Sequence, residues 1–213
     1  MTLPVLHHKT LRVQRQLEKA LQLVQSANTL DAALFAGEYL SLYTKAALLC
    51  EEATCLLRNS LYSISKSPQE TYLSHAASVH GIQISFEDGI VQILFPSSLP
   101  KVRGRHSKQF MFEPLNAALS QFRKTVPIAK YKHCTICIQH VYDATLSERM
   151  IFDYDNLQQK QLLDTLAAHL LTDDNALLCN VYHTSFAGDQ SRTNIYIMEK
   201  EQFSAWLSEQ KTA

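Results

Sequence analysis

An α+β fold with an N-terminal antiparallel helical hairpin is predicted by three observations on the 213-residue sequence. Residues 7–65 keep helical periodicity with one Gly and no Pro. Two short alternating runs then flank Glu87-Asp88-Gly89. From there to the C-terminus strands and helices mix without strict alternation, which favours a mixed sheet with flanking helices over a doubly wound one.

The first helix places Leu17, Ala20, Leu21 and Val24 on one stripe. Ser26-Ala27-Asn28-Thr29 interrupts it, with Asn28 the expected N-cap of a second helix. That helix carries Leu40, Tyr43, Ala47, Cys50 and Leu57 near one stripe. Lys66-Ser67-Pro68 sets the expected boundary, giving a hairpin over 1–66 and an α+β domain over 67–213. In the second part, 81–86 and 90–95 read as a β-hairpin. A helix is expected over 112–124 and a strand over 133–142. Residues 149–155 read as a strand arriving at a helix over 157–171. Strands over 177–183 and 194–198 and a short helix over 201–209 complete the chain.

Composition excludes several classes. The hydrophobic set is 46% and charged residues are 19%, with 5 Gly and 6 Pro, so the chain is neither collagen-like nor wholly disordered. No run approaches the roughly 18–20 apolar residues of a membrane span. The first residues lack the pattern of a secretory signal, and 5 Cys without framework spacing suggest reduced thiols and a cytoplasmic protein.

The net charge of zero is unevenly distributed. Residues 67–132 carry 8 basic and 4 acidic groups, whereas 133–213 carry 5 and 11. The basic strip contains Lys101, Arg103, Arg105 and Lys108, and the acidic part contains Asp153-Tyr154-Asp155-Asn156 and Asp173-Asp174. On a strand, Asp153 and Asp155 would share a face, and a hard cation between them would relieve their repulsion. Asn156 would cap the following helix, which returns the chain to Asp173 and Asp174. Carboxylates completed by water and phosphate are how Mg²⁺ is usually held. Taken singly, each of these acids is equally an ordinary solvated loop residue.

This order of motifs resembles the RusA family of Holliday-junction resolvases, small Mg²⁺-dependent endonucleases that act as homodimers on branched DNA. The resemblance runs over about 81–200. It includes Phe95-Pro96-Ser97-Ser98 ahead of the basic strip, the helix after it, and Gly188 to Thr193 ahead of the final strand. It implies a RusA-like domain with Asp153, Asp155 and Asp174 as metal ligands and Asp173 adjacent. Lys160 would be the functional lysine inside the helix, one residue beyond the family spacing, where Gln159 stands. The implied function is Mg²⁺-dependent cleavage of DNA at branched junctions, with Lys101, Arg103, Arg105 and Lys108 holding flanking phosphates. Over its whole length the chain also resembles an uncharacterised group of phage and mobile-element proteins with the same acidic motif. The alternative is a non-catalytic RusA-like module that binds nucleic acid or protein.

Other candidates are weaker. Cys134 and Cys137, three apart on a strand, face opposite sides, which argues against a zinc pair. His140 shares a face with Cys134, Ile136 and Ile138, as a core or edge histidine would. Pairing with Asp164, one turn on, is the simpler account of Lys160. The hairpin displays more apolar surface than one facing helix can cover, so it is expected to pack on the α+β domain or on a second subunit.

Overall fold

The computed structural model describes residues 3–64, 69–99, 111–145, 151 and 153–210. Among these it is α+β, with six α-helices and a five-stranded mixed sheet. The chain divides into two compact units, Met1–Gln69 and Glu70–Ala213.

The first unit pairs α1 (Leu3–Asn28) with α2 (Ala36–Ile64). Asn28 ends the first helix instead of starting the second. The connecting turn is held by Asp31, whose Oδ1 accepts the N–H groups of Ala33 at 2.9 Å and Leu34 at 3.3 Å. Of the expected stripes Ala20 lies in the buried seam, and the rest of the seam differs from them. Val13, Ala20 and Ala27 are buried along α1, and Ala46, Ala53 and Ser60 along α2. Each set repeats every seven residues, the spacing that keeps a seam between two supercoiled helices. Leu17, Leu21, Leu40, Tyr43, Cys50 and Leu57 are exposed. Two helices alone can bury one narrow seam. Small residues at heptad spacing let the backbones approach, and the larger apolar side chains fall outside it.

The second unit opens with α3 (Gln69–Val79), which no local signal had marked. The β-hairpin of β1 (Gln83–Glu87) and β2 (Ile90–Phe95) is as expected. Asp88 at φ 50° and Gly89 at φ 80° give the two positive values that a tight type I′ turn requires. Then come α4 (Glu113–Thr125), β3 (Cys134–Asp143), α5 (Gln159–Leu170), β4 (Cys179–Gly188), β5 (Arg192–Glu199) and α6 (Phe203–Gln210). Pro114 lies in the first turn of α4, and Arg123 and Lys124 in its last, where each suits the helix ends.

The strand order is β1-β2-β5-β3-β4. All neighbours are antiparallel except β3 and β4, which run parallel from Cys134↔Cys179 to Asp143↔Gly188. A parallel pair needs a long crossover, and here the crossover contains α5. One sheet face presents Val91, Ile93, Phe95, Ile136, Ile138, Ile195 and Ile197 to Leu115 and Leu119 of α4 and Leu162, Leu166 and Leu170 of α5. The other face carries a smaller cluster of Cys137 and Met198 under Trp206 of α6. Beside it, Asn194 Nδ2 donates to Gln139 Oε1 at 2.8 Å in a buried pair. Cys134 and Cys137 do lie on opposite faces, one in each cluster.

Leu166 is fully buried in the larger cluster. Leu166→Ala should therefore lower the unfolding free energy by about 2–5 kcal/mol, through lost transfer energy and the cavity left behind. Urea titration followed by circular dichroism would measure it.

Candidate functional site

The parallel pairing of β3 and β4 builds the most distinctive side-chain cluster. His140 stands opposite Ser185 and Ile138 opposite His183, so all four point to the α5 face. The crossover turns at a 3-10 segment, Tyr154–Asn156, and lays Tyr154 over this point. The Tyr154 ring stacks on His140 at 5.3 Å and contacts His183 at 4.9 Å between centroids. Its hydroxyl lies 2.8 Å from Ser185 Oγ. His140 Nε2 and His183 Nδ1 are 3.4 Å apart, within reach of one shared hydrogen bond.

Burial drives the electrostatics here. Together with the neighbouring His183, which adds a smaller effect, it lowers the His140 pKa from 6.5 to about 4. Burial also lowers His183. Both rings are therefore neutral near pH 7, which allows one to donate to the other. Such a cluster straps the crossover to the sheet and presents no charge.

The strand beneath is an edge. Among the described residues β4 pairs with β3 alone. Its sequence from Cys179 to Gly188 contains no Lys, Arg, Asp or Glu. Val181 is 42% exposed, Tyr182 38% and Phe186 43%. On the α6 face, Tyr182 meets Phe203 edge-on at 5.2 Å. The opposite edge, β1, is half as long and ends in Glu87.

The residues singled out from the sequence fall elsewhere. Asp153 has extended backbone and Asp155 sits in the 3-10 segment, so the shared strand face expected for them is corrected. At three residues per turn, positions two apart diverge. Helix α5 begins at Gln159, and Lys160 pairs with Asp164 at 3.0 Å while 87% exposed. Asp173 accepts from the backbone and side-chain N–H of Asn175, closing its own turn. Among the described residues no group of three or more His, Cys, Asp or Glu is placed to hold a metal ion. Lys101, Arg103, Arg105 and Lys108 lie outside the described residues. Cys134 faces Cys179 across the parallel pair, and Cys179 together with burial raises the Cys134 thiol pKa. No described helix is long and apolar enough to cross a membrane.

Sequence reasoning missed His183, Tyr154 and the exposed stretch of β4. The available signal was the charge-free run Tyr182-His-Thr-Ser-Phe186, which continues β4 beyond the expected end at 183.

The chain belongs to the family described as Family of unknown function (DUF6100), whose model matches residues 4–213. A search of curated proteins gives no match. The solved structures similar to it include two MotB or MotB-like proteins. The periplasmic domain of Helicobacter pylori MotB has 13% identity and a TM-score of 0.35, over 61% of this chain and 86% of that one. A MotB-like protein from Desulfovibrio vulgaris has 11% identity and a TM-score of 0.32, over 70% of this chain and 99% of that one. At these scores the likeness assigns no function. The comparisons do overturn the resemblance to the RusA resolvases: the family model that spans residues 4–213 describes a different family. The reading as a Mg²⁺-dependent hydrolase of Holliday junctions is corrected with it.

The histidine cluster predicts a pH dependence. The His140 pKa is lower in the folded state than in the unfolded chain, so between about 4 and 6.5 the unfolded chain binds more protons. The stability linked to His140 is complete above pH 6.5 and is lost as pH falls through that window, by up to roughly 3 kcal/mol. His140→Phe, which keeps a ring under Tyr154 but cannot titrate, should flatten the dependence. Urea unfolding at intervals between pH 7 and pH 5 would show it.

Proposed function

We propose that the protein is a non-catalytic binding module that assembles with a second copy of itself along the β4 edge. The observation that carries this reading is the ten-residue, charge-free strand at the end of the sheet. Edge strands expose unpaired N–H and C=O groups. They are normally blunted by shortness or by charged residues. The β1 edge is five residues long with Glu87 at its end, whereas β4 has neither protection.

A second copy fits this edge for a specific reason. A two-fold axis perpendicular to the sheet makes the two β4 strands antiparallel and pairs only residues of one face with each other. With the axis at Thr184, Tyr182 of each copy lies opposite Phe186 of the other. The contact then contains two aromatic cross-strand pairs, each adding roughly 0.2–1 kcal/mol. With no charged side chain on the strand, self-pairing brings no like charges together. The product is a continuous sheet spanning both copies.

The wild-type chain should therefore sediment as a dimer at micromolar concentration. Phe186→Lys, at an exposed position, should sediment as a monomer with an unchanged far-ultraviolet circular dichroism spectrum. Sedimentation velocity on both proteins decides it. A monomeric wild type, or a dimer that survives Phe186→Lys intact, would refute this assembly.

A further inference from the structure

The helical unit holds a cleft of about 430 Å³ between α1 and α2. Its α1 wall carries His8, Arg12, Arg15 and Lys19, spaced four, three and four residues apart along one face of the helix. None of Arg12, Arg15 or Lys19 has an ion-pair partner among the described residues. Leu11 and Leu49 supply an apolar floor.

A second observation points to a ligand. Gln16, at 9% exposure, lines the same cleft. Its Nε2 donates to Glu52 Oε2 at 2.6 Å. That leaves Oε1 as the free end of the amide, and it is buried without a hydrogen-bond partner within the protein. An unpaired buried acceptor has an energetic cost that a donor brought by a ligand removes.

We propose that this cleft binds a nucleotide-sized organic phosphate. Three cations against the single carboxylate of Glu52 select an anion. The planar guanidinium groups of Arg12 and Arg15 suit phosphate oxygens, as charge-assisted pairs. A carboxylic acid would engage one cation pair. A di- or triphosphate can reach all three side chains, since Arg12 and Lys19 are about 10 Å apart along the helix at 1.5 Å per residue. The volume lies within the usual range for small-molecule sites, about 300–1,000 Å³. Leu11 and Leu49 offer a planar base its apolar contact, and a turn of the Gln16 side chain would bring Oε1 to the base's amino group or a ribose hydroxyl. This combination of anion, apolar body and donor separates a nucleotide from inorganic phosphate.

The test uses the full-length chain in calorimetric titrations with ATP, inorganic tripolyphosphate, a hexaglutamate peptide and a single-stranded oligonucleotide. ATP should bind, and Arg12→Ala/Arg15→Ala should weaken it by at least about tenfold, both positions being exposed and so tolerant of change. Gln16→Leu should weaken ATP without changing the weaker tripolyphosphate binding. If the double variant melts early, Lys19→Glu alone should give the same direction of loss. ATP that fails to bind, or that binds these variants as well as the wild type, overturns the proposal. Tripolyphosphate binding as tightly as ATP overturns the nucleotide assignment. Tighter binding of the peptide or the oligonucleotide through the same residues would make the cleft a macromolecular contact instead.

Discussion

Strand β3 is hydrogen-bonded on both sides along most of its length, antiparallel to β5 and parallel to β4. Nine of its ten residues are buried. The parallel side is the demanding one. Two parallel strands cannot be joined by a tight turn, so the chain must travel back along the sheet before β4 can begin. That return leg contains α5, which supplies half of the helical cover over the larger core. It also sets Tyr154 down on His140 and His183. Core, histidine strap and outer strand all follow from this one pairing.

Among the described residues the outer strand has no partner on its far side. Strand β4 matches the full ten-residue length of β3. Its side chains are Tyr, His, Thr, Ser, Phe and small residues, which pack against α6 on one face and Tyr154 on the other. Charge is absent where most edges carry it.

The parts of the fold that were legible in the sequence are those set by local chemistry. The Glu87-Asp88-Gly89 turn and its alternating flanks fixed the β-hairpin, because positive φ at two successive residues leaves few choices. The apolar period of α4 and α5 placed Leu115, Leu119, Leu166 and Leu170 in the core. What depended on tertiary pairing was not legible. Whether His140 meets His183 depends on the β3–β4 register, which neither strand encodes alone. Asp153 and Asp155 read as strand because alternation was assumed to continue to the helix. The chain instead bends at Tyr154 to reach the sheet. In the hairpin, large leucines outweighed alanines in the periodic pattern, yet the alanines form the seam. The motif order that suggested a resolvase was sequence order alone, and among the described residues no three such side chains are grouped to hold a metal ion.

The small-residue seam of the hairpin leaves the two helices with a problem of alignment. Repeats of seven near-identical small side chains are almost interchangeable under a slide of one repeat, about 10.5 Å along the axis. Packing of alanine on alanine changes little between those positions. The hydrogen bond from Gln16 to Glu52 does change, since a slide removes the amide from the carboxylate. This polar contact acts as one locating pin, and the buried Arg58 of α2 is a second polar group whose surroundings a slide would change. Such groups distinguish one alignment from its neighbours much as a lone polar residue does in the interior of a coiled coil.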